Sequence, residues 1–134
     1  MTERAYFGGG CFWNAERIFY STKGVIETEV GFCRPEGKGF LSRIADVEVV
    51  RVDYDPEVVS YEKLIDIFWT THNPLNPVNK RVSNGERSVL FYENELQKEV
   101  AEEELAKHDS YHTSVESFKS YKTASKKDQK YYMK

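Results

Sequence analysis

Apolar residues in the first third of the chain recur with two different periods. The run Arg4–Phe7 is β-like and ends in three glycines at positions 8–10, after which apolar side chains recur at helical spacing over Phe12–Tyr20. A lysine and a glycine end that pattern, and residues Val25–Phe32 alternate as in a strand. This part of the chain therefore predicts a strand, a tight turn, a helix and a second strand.

The rest of the chain predicts two helices and three strands around one long polar loop. Ser60 is placed to cap the first of these helices, because its hydroxyl accepts hydrogen bonds from helix N–H groups. The loop at 73–85 holds two prolines and four asparagines, and loops of this length are often functional. The predicted elements are a strand at Val47–Tyr54, a helix at Tyr61–Thr71, a strand at Ser88–Tyr92, a helix at Glu95–His108 and a strand at Tyr111–Phe118.

The predicted order β-α-β-β-α-β-α-β favours an α+β fold. We expect a two-layer α/β sandwich in which the helices pack on one mixed sheet, as in the ferredoxin-like plait. The 134 residues contain no repeat and no low-complexity linker, so we expect one domain over 1–134. A chain of this length buries roughly two-thirds of its unfolded surface, which is enough for a hydrophobic core.

Charge and hydropathy argue against two classes of partner. Lys and Arg number 19 against 22 Asp and Glu, so the chain lacks the basic excess that binding to a nucleic-acid backbone requires. No run approaches the roughly 18 apolar residues of a membrane span, and no signal sequence precedes the first strand. We therefore expect a cytoplasmic monomer whose two cysteines stay reduced as thiols.

Cys11 lies between the glycine-rich turn and the start of the predicted helix. At that position the unpaired N–H groups and the positive end of the helix favour a thiolate. The glycines let the backbone approach a ligand closely, and the large side chains of Phe12 and Trp13 can wall an apolar cavity. The alternative is an inert cysteine, because a free cysteine often packs as a small apolar residue.

Five segments of the sequence resemble the peptide methionine sulfoxide reductase A family. The resemblance extends over nearly the whole chain from Arg4 onward and is weakest between 107 and 124. The segments are GGGCFW at 8–13, VEVVRVDYDP at 47–56, YEKLIDIFWTTHNP at 61–74, RSVLFY at 87–92 and DQKYY at 128–132.

This resemblance implies a two-layer α/β sandwich that reduces the S epimer of methionine sulfoxide, free or within a protein. Cys11 would attack the sulfoxide sulfur and become a sulfenic acid, and Glu48 would protonate the departing oxygen. Phe12 and Trp13 match the residues that hold the substrate methyl group. No metal or other cofactor is implied. Alternation along the strand would place Glu48 and Val50 on one face, where burial favours a protonated carboxyl group.

The sequence departs from the family where the sulfoxide oxygen is normally held. Phe32 and Glu86 replace two tyrosines, and a phenylalanine cannot donate a hydrogen bond. Tyrosines elsewhere are candidates to replace them, and we select Tyr131 as a substrate-binding residue over Tyr54 and Tyr111. Further replacements are Arg81 for an aspartate, and Asp46 and Asp128 for two histidines.

Cys33 is the only other thiol and follows a predicted strand end. We hypothesise that it attacks the Cys11 sulfenic acid, and that thioredoxin or a similar dithiol then reduces the Cys11–Cys33 disulfide. The alternative leaves Cys33 free and has an external reductant act directly on Cys11.

Three other readings of the sequence are open. A cysteine hydrolase would need a histidine base, for which His72, His108 and His112 are available. His108 and His112 are spaced like a zinc pair, but we interpret them as surface residues because the helix has ended. A non-catalytic binder of oxidised methionine, or a thiol redox sensor, is the third reading. The presence of both Cys11 and Glu48 argues against it.

Overall fold

The computed structural model describes residues 1–36 and 44–134, with three α-helices and six strands among them. The predicted loop at 33–39 lies partly outside the described residues. In chain order the elements are β1 (Glu3–Gly9), α1 (Phe12–Tyr20), β2 (Val25–Pro35), β3 (Val47–Tyr54), α2 (Tyr61–Phe68), a 3-10 helix (Pro77–Lys80), β4 (Ser88–Phe91), α3 (Glu95–Leu105), β5 (Ser114–Glu116), β6 (Phe118–Thr123) and a 3-10 helix (Tyr131–Met133).

The six strands form one mixed sheet in the order β5-β4-β1-β3-β2-β6. All neighbouring strands are antiparallel except β4 and β5, which run parallel. β1 lies inside the sheet between β3 and β4, so the glycine-rich end of β1 is held on both sides. The molecule is therefore a mixed α/β fold, as the order of predicted elements indicated.

Alternation along the strands gives the sheet two apolar faces. The larger cluster joins one face to the helices, and in it Phe7 of β1 stacks on Phe19 of α1 with ring centroids 4.7 Å apart. The smaller cluster covers the opposite face. On β3, Val50 belongs to the first cluster and Val49 to the second, so Glu48 lies on the helix side of the sheet together with Val50.

The predicted bounds of α1 and β3 are confirmed, and Ser60 caps α2 by accepting a hydrogen bond from the N–H of Lys63. The prediction that β2 ends at Phe32 is wrong, because the strand continues to Pro35 with β3 on one side and β6 on the other. The predicted last strand is two short strands on opposite edges of the sheet. Within the described ranges no helix has the length and hydropathy needed to cross a membrane.

Candidate active site

Cys11 caps the N-terminus of α1. Its backbone is extended, with φ −61° and ψ 121°, and its carbonyl accepts the first helical hydrogen bond from Ala15. The side chain is partly exposed. The Cys11 thiol therefore lies at a helix start, as predicted for a reactive thiol, and solvent can reach it.

The three glycines before Cys11 let other parts of the protein pack against the turn. A Cβ on Gly9 would overlap the hydroxyl of Thr71, and a Cβ on Gly8 would lie 3.0 Å from Cγ1 of Val47. Gly10 has φ +81°, a conformation that favours glycine, and its Cβ would lie 3.2 Å from that of His72. The glycines therefore allow Thr71 and His72 to approach the turn closely, and their predicted role in the approach of a ligand stays a prediction.

Glu48 lies against the start of the same helix. The backbone N–H of Phe12 donates to its Oε1 at 3.2 Å, and Phe32 is paired with Glu48 across β2 and β3. The Phe12 and Phe32 rings pack with centroids 5.5 Å apart. Glu48 is therefore hydrogen-bonded to Phe12, the residue that follows Cys11. The ring of Phe32 lies next to it, at the position where the family resemblance predicts the phenol of a tyrosine.

Burial raises the pKa of Glu48 above the ordinary value of a glutamate. The hydrogen bond from Phe12 opposes this rise, and the negative charges of Glu86 and Asp128 add to it. A carboxyl group with a raised pKa keeps its proton at higher pH, which is what a general acid requires.

The Trp13 side chain is held by residues near the other end of the sequence. Its indole N–H donates to Oδ1 of Asp128 at 3.2 Å, and its ring stacks on Tyr131 with centroids 3.9 Å apart and planes 8° apart. Tyr132 packs edge-on against the same indole at 6.2 Å. Tyr131 therefore contacts Trp13, which is the predicted methyl-binding residue. This contact is with the indole ring and not with the Glu48 carboxyl group.

Two other tyrosines considered as replacements lie elsewhere. Tyr54 is buried at the opposite end of β3 from Glu48, where its hydroxyl donates to Glu3. Tyr111 stacks on His108 and packs on Trp69. Neither contact brings a phenol to the Glu48 carboxyl group.

Cys33 differs most from its prediction. It lies within β2, paired with Val47 on β3 and Tyr121 on β6, and it is 0% exposed. Its side chain packs in the smaller apolar cluster, on the sheet face opposite Glu48 and α1. Burial, with the negative charges of Glu93 and Asp46, raises the pKa of the Cys33 thiol. A movement of the loop alone therefore does not bring Cys33 to Cys11, because Cys33 lies in the sheet and not in the loop.

His72 belongs to a series of hydrogen-bonded side chains next to the glycine-rich turn. Its Nδ1 lies 2.9 Å from the hydroxyl of Thr71 and its Nε2 lies 2.7 Å from that of Ser88, which in turn contacts the hydroxyl of Thr113 at 2.7 Å. Burial lowers the pKa of His72 to about 4. Since both ring nitrogens have protein partners, His72 does not present a free base to Cys11, and the hydrolase reading loses support.

Sequence reasoning missed this chain because its members are separated by up to 42 positions and share no motif. Glu86, in contrast, was singled out, and it is exposed at a cavity of about 290 Å³ beside His72. The cavity is otherwise lined by Asn73, Asn76, Val78, Asn79 and Asn84. Among the residues with described positions, no three His, Cys, Asp or Glu side chains are grouped as metal ligands would be.

The site combines a partly exposed thiol at a helix start with a carboxyl group of raised pKa that accepts from the next residue, an arrangement suited to a thiol enzyme. A model of the family described as "Peptide methionine sulfoxide reductase" matches residues 3–134. The chain therefore belongs to the peptide methionine sulfoxide reductase family, and it is an oxidoreductase that acts on methionine sulfoxide. This confirms the family expected from the sequence.

Individual relatives agree with the family model. A peptide methionine sulfoxide reductase MsrA 1 from Nostoc sp. is 44% identical over 78% of this chain and 69% of its own length. An MsrA from Methanococcus maripaludis is 36% identical over 99% of this chain and 93% of its own. The solved structure of methionine sulfoxide reductase A of Corynebacterium diphtheriae superposes with a TM-score of 0.78 at 26% identity, covering 98% of this chain and 74% of that one.

Replacing Glu48 with glutamine removes the carboxyl group that we expect to donate the proton. We expect the rate constant kcat for sulfoxide reduction to fall by about 10²- to 10⁴-fold, the usual contribution of a general acid. Wild-type activity should decline as pH rises through the raised pKa of Glu48, and that decline should be absent in Glu48→Gln. Steady-state rates across a pH series measure both effects.

Glu86→Gln is the matched control for this experiment. It removes a negative charge that raises the pKa of Glu48, so the decline should move to lower pH while the acid is retained. An unchanged alkaline decline in Glu48→Gln would assign it to another group.

Acidification should weaken the fold through His72. The unfolded chain binds a proton at this residue near pH 6.5 and the folded chain only near 4, so the unfolded state binds more protons between these values. The free energy of unfolding should therefore fall by about 3 kcal/mol as pH drops from 7 to 4 on account of this residue. Urea unfolding of wild type and His72→Asn should give curves that converge by this amount at low pH, whereas parallel curves would contradict the assignment.

Proposed function

We propose that this chain reduces the S epimer of methionine sulfoxide, free or within proteins, with Cys11 as nucleophile and Glu48 as general acid. The supporting observation is the hydrogen bond from the Phe12 N–H to Glu48, which places the acid beside the residue following the thiol. The raised pKa of Glu48 agrees with this role.

The reaction forms and breaks an S–S bond while oxygen changes sulfur. The Cys11 sulfur bonds to the sulfoxide sulfur as Glu48 gives a proton to the oxygen, and the hydroxyl then moves from the substrate sulfur to the Cys11 sulfur as the S–S bond breaks and methionine leaves. The sulfoxide is reduced by two electrons and the thiol is oxidised to a sulfenic acid. The proposed wall for the methyl group is formed by Phe12, Trp13 and Tyr131, of which Phe12 packs on Phe32 and Trp13 stacks on Tyr131.

The sulfoxide oxygen has fewer side-chain donors here than two tyrosines would give it. Phe32 presents a ring to Phe12 and carries no hydroxyl. The proposed donor is therefore the protonated carboxyl group of Glu48 itself, helped by N–H groups of the first turn of α1 that follow Phe12, whose own N–H already donates to Glu48. Glu48 then both orients the oxygen and protonates it.

The sulfenic acid on Cys11 is proposed to be reduced directly by an external dithiol such as thioredoxin. The first thiol of that dithiol attacks Cys11 and releases water as a mixed disulfide forms, and the second thiol then frees Cys11. Support comes from Cys33, which is buried on the other sheet face with a raised pKa. A thiol held in that state is a poor nucleophile.

Three further features belong to the same proposal. The central strand order β4-β1-β3-β2, with antiparallel pairing throughout, supports a ferredoxin-like plait within one domain over 1–134. A working form that is monomeric and cytoplasmic is consistent with reduced cysteines. Size-exclusion chromatography with light scattering tests the monomer, and fluorescence microscopy of a tagged chain tests the location.

Turnover of the separate epimers tests the reaction and its thiols. With dithiothreitol as reductant, the wild type should consume the S epimer and spare the R epimer, and Cys11→Ser should be inactive. Cys33→Ser should keep wild-type turnover with dithiothreitol or thioredoxin, because Cys33 does not contribute a thiol.

Mass spectrometry after one equivalent of substrate should then find a trapped sulfenic acid on Cys11 and a Cys33 that is alkylated once the trapped protein is denatured. A Cys11–Cys33 disulfide would instead restore the internal resolving step and require β2 to detach from the sheet. No turnover of either epimer would favour a non-catalytic binder of oxidised methionine.

A further inference from the structure

Residues 125–134, here called the strap, cross the start of α1 and the edge of β2. Three of its members, Asp128, Tyr131 and Tyr132, contact Trp13. Gln129 and Lys130, which lie between Asp128 and Tyr131, contact β2 and α1 instead. Gln129 and Lys130 therefore anchor the strap, and they lie in the sequence between Asp128 and Tyr131, which hold the Trp13 indole.

Gln129 attaches the strap to β2 through its side-chain amide. Its Oε1 accepts the N–H of Val30 at 2.9 Å, and its Nε2 donates to the Val30 carbonyl at 2.9 Å. The same Nε2 lies 3.2 Å from the carbonyl of Ala124. The amide thus occupies both backbone groups of one strand residue, as a neighbouring strand would.

Lys130 attaches the strap to α1 with its backbone and its side chain together. Its backbone N–H donates to Oε1 of Glu16 at 2.7 Å, and its Nζ lies 3.1 Å from Oε2 of the same carboxylate. Nζ also donates to the Thr28 carbonyl at 2.6 Å and pairs with Glu27 at 3.2 Å. Lys130 has φ +54°, the left-handed region, which is costly for a residue with a Cβ.

Glu16 is the buried end of this attachment. It is 0% exposed and lies one helical turn after Phe12 and Trp13, on the face of α1 directed to the sheet. The hydroxyl of Thr28 donates to its Oε2 at 2.7 Å. A buried carboxylate is stable only with such partners, so the loss of Lys130 leaves a charge without compensation.

We propose that Glu16 and Lys130 are positioning residues that set the affinity for substrate by holding the strap, and so Tyr131 and Asp128, against Trp13. This inference rests on the proposed function, in which Trp13 packs against the methyl group of the sulfoxide. The pair acts through the indole and touches neither the sulfur nor the oxygen. Its main effect is therefore on substrate binding, and it reaches proton transfer only through the charge of Asp128, which helps to raise the pKa of Glu48.

Lys130→Met tests the attachment, because methionine keeps the length of the side chain and removes its charge. We expect KM for methionine sulfoxide to rise by about tenfold while kcat stays within about twofold, as for the loss of binding that is equal in ground and transition states. Lys127→Met is the matched control in the same strap, since Lys127 is exposed and forms no ion pair among residues 1–36 and 44–134. It should behave as wild type.

Tryptophan fluorescence tests the attachment of the strap separately from the proposed enzymatic reaction. In a Trp69→Phe background Trp13 is the only tryptophan, and its quenching by acrylamide reports the cover that the strap provides. Lys130→Met should increase the quenching constant by about twofold or more, as for an indole that moves from a covered to an exposed site. This readout needs no turnover, so it stands even where the wild type reduces neither epimer.

A double variant guards against a loss of folding. Glu16→Gln with Lys130→Met removes both charges, so no buried charge is left, while the amide oxygen can still accept from the backbone N–H at 130 and the amide NH2 can donate to the Thr28 hydroxyl. It should fold and show the same rise in KM and in quenching. Unchanged KM and quenching in the folded double variant, or a fall in kcat without a rise in KM, would overturn the proposal.

Discussion

The turn from β1 into α1 depends on side chains being absent at three successive positions. β1 is held between β3 and β4, so its end cannot shift, and Thr71 and His72 occupy the space that side chains on Gly9 and Gly10 would need. Cys11 follows directly after Gly10 and is the N-cap residue of α1. The location of the nucleophile is thus a consequence of close packing between the end of α2 and the end of β1, and the hydrogen bond from Phe12 to Glu48 then fixes the helix over the sheet.

The acid and the methyl-binding rings reach this turn from three different parts of the chain. Glu48 comes from the middle of the sheet, where burial raises its pKa, and Trp13 comes from the helix itself. The cover on Trp13 comes from residues more than 110 positions later. In the proposed mechanism the chemistry therefore depends on short-range geometry, while substrate affinity is proposed to depend on a long-range attachment.

Local patterns in the sequence were sufficient for the elements that carry the chemistry. The predicted bounds of α1 and β3 agree with the structure, and alternation along β3 correctly put Glu48 with Val50. The end of β2 was not predictable, because Cys33-Arg34-Pro35 looks like a turn until β6 pairs with it. The chain around His72 and the buried Glu16 also join distant residues, and no local period or motif reports such pairings.

The burial of Cys33 leaves the protein with one site at which an oxidation product can be stored. A sulfenic acid that is not captured by a neighbouring thiol stays open to further oxidation, and the sulfinic acid formed from it is not returned by ordinary thiols. Cys11 is partly exposed, so a second molecule of oxidant has the same access as a reductant. Under strong oxidation, the fraction of this protein that stays active then depends on which reacts first with the Cys11 sulfur, a dithiol or a second oxidant molecule. That fraction is set by the ratio of dithiol to oxidant around the protein.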